Sequence, residues 1–497
     1  MTVQPLAAAD LRVGRFLVPV LITLELFSGL IQGWIVPLLG NIADHYAVSG
    51  GAVSWVLTVG LLSSAVSVPL MVVLADRFGR QRLLVIAVVL SAAGSVLIAF
   101  APVFPLVLLG AVIQGPVAAC LPLEMALLKH FRPARANRII GYLVGMLTIG
   151  VALGAVLGGV AMDAIGNLPV VQFLPAAVLV LFIPIVWTLV PRDAGDATRA
   201  VDWLGATTLG IALVGVMYGL SEGPAAGWGS ISVVLPLVIG VLALVGFFIA
   251  ESRVSTPLVD VKALKGARLL PALVVGFLAS MALFGNQTPT VLYFTADPGA
   301  VGYGLGGSAG LVGLVFGATA LFSSAGAFLS YRVAKGIGSR FAVAIGCLCI
   351  AIGVGGMVFA PRELVIVVGL GALSAFGSGI AFGILPGLVV ERAPESSAAS
   401  VSGVYNTTRT LGGALAGAFV ASVLAAVLLS SSGADAAAPP APALAAFQLI
   451  WGVFAGLNVV AAVVALSLGR SRVDEASAAP APEQTSTDDA LTIGATS

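Results

Sequence analysis

The sequence predicts an all-α integral membrane protein of about fourteen spans. Three observations predict it: an apolar composition, a count of long apolar runs, and the way Lys and Arg alternate between connections. Hydrophobic residues make up 59% of the 497-residue chain, charged residues only 9%, and the mean hydropathy is +1.11. A soluble domain is roughly 45–50% apolar and about 25% charged, so this chain is built for lipid.

A membrane helix needs about 20 mostly apolar residues. Such runs fall at about 16–39, 52–74, 83–100, 105–128, 139–162, 170–190, 203–220, 231–250, 269–294, 309–331, 341–359, 364–389, 400–429 and 444–468. Connections after even-numbered runs carry clusters such as Arg77, Arg80 and Arg82, or Lys129, Arg132, Arg135 and Arg138; connections after odd-numbered runs carry Arg362 alone. The positive-inside rule then places both termini in the cytoplasm, in a multi-pass protein of a cell membrane, by expectation the bacterial inner membrane. The first run is too long for the apolar core of a signal peptide. The outer loop 430–443 and the tail 475–497 are rich in Ala and Pro and are expected to be disordered.

Several functions are disfavoured. A net charge of +1 gives no bulk attraction to nucleic acid. Cys120, Cys347 and Cys349 lie in apolar runs, and His45 and His130 are far apart, so neither a disulfide framework nor a metal site is expected. No Gly-Lys pair exists, which argues against a phosphate loop and ATP-driven pumping. No enzymatic activity and no cofactor are expected.

The charges crowd at Leu74-Ala-Asp-Arg-Phe-Gly-Arg-Gln-Arg-Leu83. Gly79 permits a tight turn between runs 2 and 3. Asp76 is an acceptor among Arg donors, able to bond arginine or the free N–H groups of a helix start. Such contacts break when helices rock, so the segment reads as a latch as well as an orientation signal. It resembles the signature loop between helices 2 and 3 of the major facilitator superfamily. The resemblance implies that Asp76, Arg77, Gly79 and Arg80 form a gating loop on the cytoplasmic side. It also implies two six-helix bundles that give alternating access.

Run 5 carries Gly150, Gly154, Gly158 and Gly159, similar to the glycine-rich motif of family antiporters, with Ala155 where that motif has Pro. Glycines four apart share one helix face and admit a close neighbour. Run 4 reads Leu109-Gly-Ala-Val-Ile-Gln114-Gly115, similar to the family pattern Arg-x-x-Gln-Gly, with Ala111 at the Arg position. The family's buried Arg is implicated in proton coupling, so its loss puts that route in question. Thr256-Pro-Leu-Val-Asp260, Tyr303-Gly-Leu-Gly and the Val404–Gly413 stretch resemble the fourteen-span drug:proton antiporter branch, as does the extra helix pair. Tyr331–Arg340 looks like a degenerate second latch, the mark of an internal repeat.

Charged or polar groups inside spans are functional candidates because each costs several kcal/mol to insert. Glu25 lies ten residues past Arg15, about 15 Å along a helix, with Ser28 and Gln32 on the same face. A desolvated carboxyl there can hold a proton. Glu124, one turn before Lys129, is either a transport residue or an exposed or locally paired end-of-helix acid. Arg409 is expected to join the latch or pair with an intramembrane Glu. Gln114, Asn286 and Gln287 are candidates for the substrate cavity or for interhelical bonds. Pro37, Pro116, Pro122, Pro289 and Pro386 are candidate helix bends.

The expected organisation is a six-helix bundle over 1–200, a central pair with its linker over 201–268, a second bundle over 269–470, and a tail over 471–497. The expected activity is export of small lipophilic compounds by proton antiport, by a monomer whose partners are the small-molecule substrate, protons and the lipid bilayer. Alternatives are a facilitator working as uniporter or importer without protons, favoured by Ala111 and Ala155, and a non-transporting scaffold or sensor.

Overall fold

The computed structural model describes residues 8–132, 136–195, 203–251, 269–359, 362–392, 398–427 and 442–468. The linker 252–268 with its Thr256–Asp260 stretch, most of the loop 430–443 and the tail lie outside these residues. The first half comprises α1 (Ala8–Trp34), α2 (Leu39–Tyr46), α3 (Gly50–Phe78), α4 (Arg80–Ala99), α5 (Phe104–Gln114), α6 (Cys120–Phe131), α7 (Ala136–Ile165) and α8 (Leu168–Leu189). A central pair follows, α9 (Trp203–Ala226) and α10 (Ile231–Glu251). The second half holds α11 (Leu270–Gly285), α12 (Gln287–Thr295), α13 (Pro298–Val301), α14 (Ala309–Ile337), α15 (Ser339–Gly356), α16 (Leu364–Arg392), α17 (Ala398–Ala426) and α18 (Leu444–Ala465).

Thirteen helical stretches among the described residues are long and apolar enough to cross a membrane, and α9 carries a shorter apolar stretch, Trp203–Val216. The count of about fourteen spans stands. Large apolar side chains lie exposed along the outside, among them Phe328, Leu242, Leu181 and Val463. In lipid such a surface is at home, and the helices cohere through close packing and polar bonds.

The two halves repeat one packing plan. In the first, α1 packs on α7, α4 on α8, and α4 on α5; in the second, α11 packs on α17, α15 on α18, and α15 on α16. The repeat extends to one turn. Gly79 separates α3 from α4 at φ 98°, ψ 136°, and Gly338 separates α14 from α15 at φ 90°, ψ 145°. That conformation belongs to glycine, and it recurs in Tyr331–Arg340, a loop that has three cations but no acid. Between the halves, α7 packs on α14 and α3 on α17, related by the same exchange.

The prolines differ in effect. Span 1 breaks at the 3-10 turn Val36–Leu38, which contains Pro37. Span 4 breaks over Gly115–Ala119, which contains Pro116. Pro116 has no N–H for the Val112 carbonyl; the Ser63 hydroxyl of α3 donates to it instead at 2.5 Å, and Ser64 donates to the Gly115 carbonyl at 3.0 Å. Span 9 breaks at Asn286, between α11 and α12, three residues before Pro289. Pro122 and Pro386 bring no break: Pro122 sits in the first turn of α6, where its missing N–H is harmless, and α16 runs continuously through Pro386.

Three buried cores order the molecule along its length. One, around Leu38, Tyr293, Phe294, Phe447 and Trp451, is shared by both halves. The other two lie nearer the Gly79 and Gly338 turns. One is built only from the first half, around Leu21, Leu84 and Leu127, and the other only from the second, around Val343, Leu385 and Val389. The halves thus join at one end and keep separate cores at the other. At mid-length α9 touches both sides of the α3–α17 seam: Leu209 and Phe247 of the central pair pack with Ala65 and Val404, and Val216 packs with Trp55, Leu61 and Ala414.

Candidate functional site

Glu25 of α1 and Glu124 of α6 are both completely buried, at 0% exposure. They face one another within hydrogen-bonding reach. The 3-10 break before α6 brings this about by re-aiming the second part of span 4 toward α1. No hydrogen bond reaches any of the four carboxylate oxygens among the described residues. Ionised carboxylates are acceptors only, so a bond between these two requires a proton held between them. The buried thiol of Cys120 lies beside the pair, one turn before Glu124. The expectation that Glu124 might be an exposed end-of-helix acid is therefore corrected. Ser28 Oγ donates to the Val117 carbonyl at 3.4 Å, and Gln32 Nε2 donates to the Ser28 carbonyl at 3.2 Å. Ser28 thereby ties α1 to the break in span 4.

The gating loop is held by a residue the sequence did not single out. Asp193, just past α8, accepts from the backbone N–H of Arg80 at 2.9 Å and of Gln81 at 3.1 Å. These are free donors at the start of α4. The Arg80 guanidinium lies 3.8 Å from Asp193 and 3.5 Å from Asp76. Gln81 Nε2 donates to the Trp187 carbonyl at 3.1 Å, near the end of α8. Arg77 stacks over its neighbour Phe78. The helix start that Asp76 was a candidate to cap is capped by Asp193; Asp76 holds Arg80 one turn along. A Cβ at Gly79 would strike the Asp193 carbonyl, so glycine is required there by contact as well as by φ.

The glycine motif of α7 faces α1. Side chains at Gly150, Gly154 and Gly158 would collide with the carbonyls of Leu26, Leu30 and Trp34. Gly29 and Gly33 of α1 answer against Leu147 and Val151, a reciprocal set the sequence reading missed. Gly159 points elsewhere, onto the Ala309 carbonyl at the start of α14 in the other half. Beside it Asp163, also missed, accepts from Ser308 Oγ at 2.7 Å and from the Gly310 N–H at 3.0 Å. A carboxylate from one half thus caps a helix of the other, at the end where the halves share a core.

The remaining candidates separate. Gln114 Nε2 donates to Ser95 Oγ at 2.6 Å, tying α5 to α4 inside the first half. It also lines a narrow crevice with Trp34, Gln172 and Pro175. Asn286 Oδ1 accepts from the indole N–H of fully buried Trp451 at 2.9 Å, an interhelical bond at the break in span 9. Gln287 begins α12, half-buried. Arg409 joins neither the latch nor an intramembrane Glu; it lies 4.5 Å over the ring of Phe382. Tyr303 stacks on Tyr293 and donates to the Pro442 carbonyl at 2.6 Å, and burial pushes its phenol up to about 12. Among the described residues no group of three His, Cys, Asp or Glu side chains is placed to hold a metal.

Comparison with known proteins gives the frame for these contacts. Residues 21–417 match the family model described as Major Facilitator Superfamily. The chain is 26% identical over 398 residues to the multidrug resistance protein Stp of Mycobacterium tuberculosis, covering 78% of this chain and 72% of that one. It is 27% identical over 402 residues to the multidrug resistance protein B homolog of the same species, covering 77% and 71%. It is 28% identical over 243 residues to the tetracenomycin C resistance and export protein of Streptomyces glaucescens, covering 47% and 44%. Among solved structures, a bacterial homolog of the human lysosomal transporter Spinster superposes with a TM-score of 0.64 at 16% identity, covering 94% of this chain and 98% of that one. With the matched segment running through most of its length, the chain belongs to the Major Facilitator Superfamily and is a multi-pass membrane transporter, not an enzyme.

Proposed function

We propose that this transporter exports small lipophilic compounds, drugs or secondary metabolites, by proton antiport. The observation that carries the reading is the pair Glu25–Glu124: two neighbouring carboxyls, sealed from solvent, with no hydrogen-bond partner among the described residues. Such a pair holds a proton in one conformation and gives it up when a movement of the helices separates the two groups. The names of the similar proteins support the substrate class. One proton crossing ~100 mV releases about 2.3 kcal/mol, roughly a fifty-fold gradient at 1.4 kcal/mol per decade, so one titrating pair suffices for useful export. With the Arg77–Arg82 end taken as cytoplasmic, the separate cores at that end describe a state that faces the cytoplasm. Protons, the substrate and the surrounding lipid are then the only partners a monomer needs, and the cell membrane is its place.

The test is substrate-induced proton flux in proteoliposomes, screened over lipophilic drugs with a pH-sensitive dye inside. Wild-type protein gives flux with at least one compound; Glu25→Gln and Glu124→Gln do not. The uniport or import reading rests on Ala111, which stands packed in the shared core where the family pattern has Arg. Counterflow that ignores an imposed pH gradient would establish it instead.

A further inference from the structure

Among the described residues, the second half contains a largely buried cation, Arg409, with no acid paired to it. Arg409 lies mid-way in α17, eleven residues beyond its start at Ala398, or about 16 Å along the helix. Its Nε is sealed from solvent and makes no hydrogen bond, while the residue as a whole keeps part of its surface open. No hydrogen bond or ion pair to the guanidinium is found among the described residues; its one close partner is the ring face of Phe382, from α16. A guanidinium carries five donors and is always charged. An aromatic face attracts the cation but accepts none of those donors in the way an oxygen does.

A second group in the same place is equally unsatisfied. Tyr405 sits one turn before Arg409 on α17, hence on the same face, and is electrostatically adjacent to it. Its side chain is 2% exposed, its ring packs against Gly276 of α11, and its hydroxyl has no partner among the described residues. A buried hydroxyl left unpaired costs about 1–3 kcal/mol. Arg409 and Tyr405 therefore present a charged fork and a phenol donor together, with Phe382 as a platform. They share one chemical need, an oxygen carrying negative charge.

We infer that Arg409 and Tyr405 form a binding site for the acidic oxygen of an organic anion, a carboxylate, phenolate or enolate, whose apolar or aromatic body lies along the Phe382 side. This rests on the export reading and narrows its substrate class: the favoured compounds are lipophilic acids rather than lipophilic cations. The site lies in the half opposite the Glu25–Glu124 pair, so the anion and the proton are held in different bundles and do not neutralise one another.

The experiment uses the full-length protein in nanodiscs and matched probes: 1-naphthoate against 1-naphthamide, and five further lipophilic acids, each paired with its neutral amide. Binding is read by calorimetry and by competition. The expected result is at least tenfold preference for the acid in most pairs, lost in Arg409→Gln, reduced in Arg409→Lys, and reduced several-fold in Tyr405→Phe with amide binding unchanged. Absence of preference in the wild type overturns the inference. So does a preference that survives Arg409→Gln, or an equal loss for acid and amide in both variants, which would make Arg409 a packing residue. Should Arg409→Gln fail to fold, Tyr405→Phe decides alone: an unchanged acid preference overturns the site. Proton flux driven by neutral drugs is measured in parallel. If it persists while acid preference is absent, export stands and this site falls; if acids bind but no compound moves protons, the site stands and antiport falls.

Discussion

At the scale of single residues, Glu25 and Glu124 can be interrogated without wrecking the fold. A Gln in place of either keeps the volume and supplies an amide N–H to the remaining carboxylate, so the contact stays satisfied. Glu25→Gln is expected to unfold within a few degrees of wild type while substrate-driven proton flux falls to background. Glu25→Ala leaves a hole and an unpaired carboxylate in the first-half core, costing about 3–5 kcal/mol, and its thermal midpoint should drop clearly. If Glu25→Gln lost stability as Ala does, the pair would be structural. The sequence made Glu25 visible because a charge at mid-span stands out against apolar neighbours. It did not reveal the pairing, because Glu124 lies about a hundred residues on and is aimed by the break around Pro116. The same limit hid Asp193: an Asp in a short Pro-Arg-Asp-Ala-Gly connection looks local, yet it caps a helix 113 residues earlier.

At the scale of elements, the Leu74–Leu83 loop is held by two separable sets of contacts. The start of α4 is held by Asp193 and by Gln81 reaching the end of α8, contacts inside one half that survive rocking of the halves against each other. Asp76 stands apart from that cap, tied to Arg80 at a half-exposed position. The residue that caps α4 and the residue proposed as the switch are thus different. Asp193→Ala removes a carboxylate from two backbone donors and is expected to cost about 0.5–2 kcal/mol of stability, the range for a lost helix cap. Denaturation in detergent would show it. Asp76→Asn is expected to leave that midpoint unchanged and to slow transport several-fold. Equal loss of stability in both would merge the two roles. The turn was legible from Gly79, and a close helix contact of α7 from its glycine spacing, but not that the partner is α1. Gly159 was read with its neighbours, yet it serves the contact with α14, because it lies about 100° around the helix from Gly158 and so faces the other half.

For the whole molecule, the question is what must break for the shared core to open. The seam at that end is made by small residues, where α7 meets α14 and α3 meets α17, with one carboxylate fastening it: Asp163 on Ser308 and the start of α14. The backbones touch so closely there that little rearrangement of side chains can loosen the seam; the halves separate as bodies or stay joined. Hydrogen bonds to a charged group contribute about 1.5–3 kcal/mol, so Asp163→Ala should shift the balance between the two facing states by about tenfold or more toward the form open at this end. Single cysteines in a cysteine-free background can report it. Val36, 5% exposed in the break that packs against α7 and α14, is shielded by the seam; Phe78, 45% exposed, marks the opposite end. In Asp163→Ala, labelling at Val36→Cys should accelerate and labelling at Phe78→Cys should slow. Opposed changes are the signature of two halves rocking about their middle, where α9 lies across the seam. Faster labelling at both positions would mean that the carboxylate holds the fold together rather than selecting between its conformations.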